Sequence, residues 1–286
     1  MIFWQVMGAA AAAAGLGLLG RKMVQRSLRR ARDDHSKRPA LWNRFYSIDW
    51  GDTTTNNYGF APAEGNHPQR FQHEMYLQLL QRLRQERDVR PGMKLLEVSC
   101  GRGGGLTALL SRAPEIEATG LDVAQSAVDF CRNSYGESER LHFVQGSALE
   151  LPFPDDSFDI VLNVEASNDY GDRPRFFREA ARVLKPDGIL LYADTVKQGR
   201  RQAMEQELVS AGFEAEFRDI TGNVAEACRL DSPRRREVIR RHAPLFGRVF
   251  LKRQLENYAA IEGSAKFAAF AEGRRTYLMT AASKAA

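Results

Sequence analysis

From residue 95 onward, short apolar runs alternate with segments of helical spacing. Leu95, Leu96 and Val98 read as a buried parallel strand, apolar on both sheet faces, and LTALLSRA follows from Leu106 with the period of a helix. IEATGLDV then leads to AQSAVDFCRNSY, LHFVQGSALELPF comes next, and FDIVLNVEA precedes the helical PRFFREAARVL. After Pro186-Asp187-Gly188 come the strand ILLYAD, a helix from about Gly199 to Ala211 and the strand FEAEFRDI. Residues 221–270 read as mostly helical, an insertion before a last strand, RRTYLMTAA. This rhythm predicts an α/β fold, a Rossmann-like parallel sheet with helices on both faces, whose ligands bind beyond the carboxyl ends of the strands.

Upstream the pattern changes. Arg70 to Arg87 places Phe71, Met75, Leu79, Leu80 and Leu83 on one helical stripe. Leu41 to Pro68 has no long period and reads as an irregular cap, dense in aromatics that could wall an apolar pocket: Trp42, Phe45, Tyr46, Trp50, Tyr58 and Phe60. The first twenty residues hold no charged side chain, and at about 1.5 Å per residue they reach roughly 30 Å, the depth of a hydrocarbon core. The expected organisation is a transmembrane anchor at 1–20, a basic juxtamembrane linker at 21–40, a cap at 41–88 and a catalytic domain at 89–286, with a helical lid over about 221–270. A cleaved signal peptide or an Ala-rich helix packed on the domain are rival readings of the N-terminus.

Charge sharpens this picture. The chain carries a net +5, and residues 21–38 hold eight Lys and Arg against only Asp33 and Asp34, so the basicity is concentrated beside the apolar run. Positive charge on that side predicts a single-pass membrane protein with its body in the cytoplasm. Such a cluster suits anionic headgroups better than a nucleic-acid groove. A second basic run, Ser232 to Pro244, holds five arginines and reads either as a solvated helix face or as another membrane or acidic contact. Cys100, Cys131 and Cys228, with five scattered histidines, show neither a disulfide framework nor metal-ligand spacing.

The candidate chemistry begins at the first strand, where LLEV gives way to a turn in which Gly101, Gly103, Gly104 and Gly105 surround Arg102. Backbone without Cβ can approach a ligand closely. A dinucleotide fingerprint would need glycine at 106, which is Leu106, and no Gly-Lys-Ser/Thr ending makes a phosphate loop. What remains is an acid, Glu97, four residues ahead of Gly101, and a second acid, Asp122, at the end of the next strand.

In these residues the chain resembles the class I S-adenosylmethionine-dependent methyltransferases, with Glu97, Gly101 and Gly103 in the first motif and Ser99 where a glycine is usual. More narrowly, EVSCGRGGG, LNVEAS and RDITGNVAEA are similar to the mycobacterial phthiotriol and phenolphthiotriol dimycocerosate O-methyltransferases, and more distantly to sterol and quinone methyltransferases. The resemblance covers roughly residues 56–280. It implies S-adenosyl-L-methionine as cofactor, held by Glu97, Ser99, Cys100, Gly101, Gly103, Asp122, Val123, Ser147, Ala148 and Asn163, with Asp122 on the ribose hydroxyls. Ser147 stands where an acid is frequent, and Asn168 where relatives carry His. The Asn/Asp-Pro-Pro-aromatic signature of nucleic-acid base methylation is absent from the site segment Leu151 to Ala166.

Methyl transfer to an alcohol needs a group to take the hydroxyl proton. The candidates are Glu165, Asp169, His67 and His73. An alkene acceptor would instead need aromatic shelter for a cation, from Tyr46, Trp50, Tyr58 and Phe71. Phe246, Phe250, Leu255, Tyr258, Phe267 and Phe270 either line an apolar acceptor pocket or hold the lid together. Three functions stay open: a membrane-anchored methyltransferase of a lipid-like hydroxyl, a methyltransferase of a soluble small molecule, and a scaffold that binds without catalysis. Deleting residues 1–38 is expected to lower turnover of vesicle-embedded substrate, measured with labelled cofactor; unchanged turnover would favour the soluble acceptor.

Overall fold

The computed structural model describes residues 37–245, 248 and 251–285. The anchor at 1–20, most of the basic linker, and the lid positions Phe246 and Phe250 lie outside the described residues. Among the described residues no helix is long and apolar enough to cross a membrane.

Five strands run parallel: β1 (Lys94–Val98), β2 (Glu117–Asp122), β3 (Leu141–Gln145), β4 (Phe158–Val164) and β5 (Leu184–Lys197). A last strand, β8 (Arg275–Lys284), inserts antiparallel beside β5 and carries the short β6 (Phe213–Glu214) and β7 (Arg218–Asp219). The order is β3-β2-β1-β4-β5-β8-β6. The chain winds outward from β1 in one direction and then from β4 in the other, so the crevice at the carboxyl ends of β1 and β4 is the switch point of the sheet.

Apolar residues on both faces explain why the strands are buried. Leu95, Ile160, Leu162 and Leu191 face one core with α2 (Arg70–Glu86), whose Met75, Leu79, Leu80 and Leu83 are the expected stripe. Leu96, Val98, Val161 and Leu190 face the other, under α5 (Arg173–Val183) and α6 (Arg201–Ser210). On the first face α3 (Gly104–Leu110) and α4 (Gln125–Tyr135) pack beside α2 and connect β1 to β2 and β2 to β3. Pro186-Asp187-Gly188 forms a bulge rather than a gap: β5 pairs Leu184 with Phe158, resumes at Ile189 opposite Ile160, and Asp187 takes φ 61° between them. FEAEFRDI is not one strand, since only its two ends reach β8.

The lid is helical as expected: α7 (Thr221–His242), α8 (Lys252–Tyr258) and α9 (Ala265–Ala271). The cap departs from expectation. Residues 38–46 form a helix, α1 (Arg38–Tyr46), that buries no residue fully, so no local apolar stripe announced it. Long-range contacts hold it instead. Arg38 pairs with Asp169 at 2.7 Å, Asn43 accepts from the Ser126 backbone N–H at the start of α4, and Phe45 meets Tyr258 with centroids 5.9 Å apart, while Trp42, Phe45, Tyr46 and Trp50 pack locally at 5.1–5.8 Å. A truncation that spares α1 therefore ends before Arg38.

Close packing of α2 on α3 requires one small residue. A Cβ on Gly105 would lie 2.0 Å from the buried Tyr76 ring, whereas one on Gly222, in the first turn of α7, would meet open space. Gly105→Ala is expected to cost about 1–3 kcal/mol and to lower the melting temperature by several degrees. Gly222→Ala should be neutral or stabilising by about 0.4–1 kcal/mol, with both read by thermal unfolding.

Candidate active site

The turn after β1 is folded back on β2. Ser99 and Cys100 both donate backbone N–H to Leu121 O, at 2.7 and 2.9 Å, and the chain reverses through left-handed conformations at Ser99 (φ 66°), Gly101 (φ 55°) and Gly103 (φ 71°). Asp122 fixes that reversal. Its Oδ2 accepts from Gly101 N and its Oδ1 from Ala124 N, each at 2.9 Å. Burial raises the Asp122 pKa and these backbone donors oppose it. Arg102, the side chain among the glycines, reaches away and donates to Ile48 O at 2.6 Å, so the turn and the cap are tied together. Tyr46 of α1 brings its hydroxyl to 2.7 Å from where a Gly101 Cβ would sit.

Glu97 is the buried acid at the centre, 1% exposed. Tyr76 donates to its Oε1 at 2.7 Å, while Oε2, also buried, has no protein partner. Burial pushes the Glu97 carboxyl up to about 8, against the Tyr76 hydrogen bond and with the help of nearby Asp122. On β4 the fully buried Asn163 donates to Val98 O at 2.9 Å and to Tyr170 OH at 2.6 Å, Tyr170 in turn meets Ser99 Oγ at 2.8 Å, and Asn163 Oδ1 is unpartnered. Two buried acceptors on the neighbouring strands β1 and β4 are thus left without a donor.

Just past β4, Glu165 holds φ 54°, and its Oε1 accepts both Tyr58 N at 2.6 Å and Tyr277 OH at 2.8 Å. Burial again pushes the carboxyl up to about 8, opposed by those two donors and by Lys266, and reinforced by Asp194. Tyr58 is gripped from the lid as well: Arg235 Nη2 donates to its carbonyl and Lys266 Nζ to its hydroxyl, at 2.6 and 2.5 Å.

Of the residues expected from sequence, Glu97, Ser99, Cys100, Gly101, Gly103, Asp122 and Asn163 come together here. Val123 is half-buried beside Asp122, Ala148 is buried, and Ser147 is exposed with its Oγ accepting from Leu149 N. Glu165 stands at the same sheet edge. Asp169 does not join it, being engaged with Arg38 of the cap. His67 and His73 stack on one another, centroids 4.4 Å apart, at the start of α2, where burial and then His67 pull the His73 pKa down to about 4. Tyr76, Tyr170, Tyr277 and Lys266 escaped the sequence reading because each acts through a residue far along the chain.

Residues 96–192 match the methyltransferase domain family. The chain carries a methyltransferase domain. A phthiotriol/phenolphthiotriol dimycocerosates methyltransferase of Mycobacterium tuberculosis is 38% identical over 165 residues, 56% of this chain and 61% of that protein. A fatty-acid O-methyltransferase of Mycolicibacterium smegmatis is 47% identical over 103 residues, 36% of this chain and 37% of that protein. The chain therefore spans less than two thirds of the length of these relatives. Among solved structures, the [4+2]-cyclase SpnF superposes with a TM-score of 0.68 at 20% identity over 87% of this chain and 95% of that one, a likeness of fold.

The residues of the methyltransferase domain fit S-adenosylmethionine. Glu97 Oε2 and Asn163 Oδ1 are unsatisfied acceptors suited to the cofactor's ammonium, and Asp122 keeps free lone pairs on both oxygens for a diol. Because folding raises the Glu97 pKa, its protonated form is favoured in the native state and apo stability falls as pH rises toward about 8. Glu97→Gln should flatten part of that fall, giving a higher apo melting temperature than wild type at pH 8.5. The same variant, and Asp122→Ala, should weaken cofactor binding at least tenfold by calorimetry.

Proposed function

We propose that this protein is an S-adenosylmethionine-dependent methyltransferase that places a methyl group on a hydroxyl of a hydrophobic, lipid-like acceptor. The observation that carries the reading is the pairing of two buried carboxyls at one sheet edge. Glu97 pairs in register with Leu162, and Glu165 follows on that same strand's exit, so a cofactor site and a proton-accepting site open side by side. When bound, the cofactor supplies an electrophilic methyl on a sulfonium whose leaving thioether is neutral.

The chain's own residues then have two tasks. Glu97, Asn163, Asp122 and the glycine turn hold the cofactor, and the cap and lid exclude water from it. Glu165, with Tyr58 and Tyr277 both on Oε1, keeps Oε2 for the acceptor's proton. Tyr58, Tyr258 and Phe270 supply apolar wall, Tyr58 and Phe270 meeting edge to face at 5.7 Å. Relatives that act on phthiotriol-type and fatty-acid substrates support a lipid-like acceptor. In this reading residues 1–20 anchor the protein in the membrane, and the basic residues after them keep the catalytic body at the cytoplasmic surface.

A base whose pKa lies near 8 is competent only when ionised, so kcat/KM for an alcohol acceptor should rise with pH and level off above about 8. Glu165→Gln should lower kcat about 100-fold or more and abolish that limb while cofactor affinity stays within about threefold. A pH-rate series with labelled cofactor and a long-chain alcohol measures both; a full-activity variant would remove Glu165 from the chemistry.

A further inference from the structure

Charge is segregated along this chain. Residues 21–38 hold eight Lys and Arg against two acids, and residues 236–258 hold six against Glu237 and Glu256, a surplus of four. Together these two segments outweigh the net charge of +5, so the remainder of the chain is acidic. The fold brings the described parts of both to one end of the molecule. Helix α1 begins at Arg38 and crosses the carboxyl edge of the sheet from Asp169 to Ser126. The last turn of α7 rests on the cap just beyond it, where a Cβ on Gly51 would lie 2.6 Å from the His242 ring. Arg248 donates to Arg240 O at 2.9 Å, and Tyr258, the last residue of α8, packs on Phe45 of α1 at 5.9 Å.

All six cations of residues 236–258 are exposed. Glu237 is shared by Arg240 and Arg241, and Glu256 faces Lys252 at 3.9 Å, so two acids are spread over six basic groups. Apolar side chains stand at the same end: Leu245 is 69% exposed, Leu41 of α1 41% and Tyr258 37%. Tyr258 also belongs to the apolar wall of the acceptor cleft, so that wall reaches the surface here. A solvated helix face accounts for the cations but not for bare leucines among them. A nucleic-acid backbone would meet the same cations and offer leucine no apolar phase. An anionic bilayer satisfies both, with lipid phosphates for the basic groups and acyl chains for the leucines.

We propose that α1, the end of α7 and the start of α8 form a face that docks on an anionic lipid surface and turns the mouth of the acceptor cleft toward the bilayer. This docking rests on the lipid-like acceptor proposed above and adds to the N-terminal anchor, which alone would tether the body without orienting it. Each basic group at an anionic surface favours the docked state about fivefold. Salt screens that attraction, so docking weakens as ionic strength rises.

The full-length protein is reconstituted in vesicles of phosphatidylcholine, alone or mixed with phosphatidylglycerol, and carries a thiol dye at Leu245→Cys; the three native cysteines are buried. Acyl-brominated lipid is expected to quench that dye about twofold or more beyond its level in neutral vesicles when the vesicles are anionic, and added salt should reverse the gain. A dye at Val209→Cys, 62% exposed near the amino ends of the parallel strands, should be quenched in neither. Replacing Arg240, Arg241 and Arg248 together with Gln should return the Leu245→Cys dye to its neutral-vesicle level. The same triple variant should lower turnover of vesicle-embedded hexadecanol about tenfold or more and leave turnover in detergent micelles within about twofold. Equal quenching in both kinds of vesicle, equal quenching at position 209, or a triple variant that behaves as wild type would overturn the inference. A rise in dye anisotropy with a single-stranded oligonucleotide but not with anionic vesicles would assign the face to nucleic acid instead. Docking without turnover of any acceptor would leave this surface standing and remove the methylation reading, whereas turnover without docking would do the reverse.

Discussion

The Glu97 carboxyl is half satisfied, and much of the molecule is arranged around that fact. Its one hydrogen bond, from Tyr76, contributes about 1 kcal/mol net, while the unpartnered oxygen costs about 1–3 kcal/mol. A purely structural core would replace such a group. Retaining it makes sense where a donor ligand repays the cost, and the raised pKa reports the same imbalance. Gly105 exists to admit Tyr76, so a helix position is given up to hold an acid in place.

Backbone conformation makes the same point at two strand ends. Ser99 after β1 and Glu165 after β4 are non-glycine residues in left-handed conformations, each costing about 1–2 kcal/mol. Both sit where neighbouring strands empty into the switch-point crevice. The local cost is offset by the surrounding hydrogen bonds: Ser99 N to Leu121 O, and Glu165 N to Ala193 O at 2.8 Å. Asp156, Asp187 and Ala260 also take positive φ, but only Ser99 and Glu165 among the described residues do so at the ends of these two neighbouring strands.

Cap and lid meet at Tyr58. Its N–H belongs to Glu165, its carbonyl to Arg235 and its hydroxyl to Lys266, so β4, α7 and α9 all close on one residue. Arg235 is itself buried and bonded to Asp231, which also receives Gln72 from α2. That network absorbs part of the arginine run of residues 232–244, which sequence left divided between a solvated face and a membrane contact. Arg240 and Arg241, by contrast, share Glu237 and remain at the surface.

The strand and helix rhythm, the glycine turn, Glu97 and Asp122 were legible in the residues alone, because period and turn chemistry act over a few positions. The lid's helical character followed from the same local pattern, and so did Glu165's place at a strand end. Other features needed the folded chain. Helix α1 buries no residue fully and is held through Arg38 on Asp169, Asn43 on Ser126 and Phe45 against Tyr258. The partners of Glu165 and Tyr58 lie 107 to 208 residues apart. Sequence determined which groups could do chemistry, since their identities and spacing are local; only tertiary packing decided which were buried, paired or left wanting a ligand, since desolvation and hydrogen bonding depend on neighbours that no local period reveals.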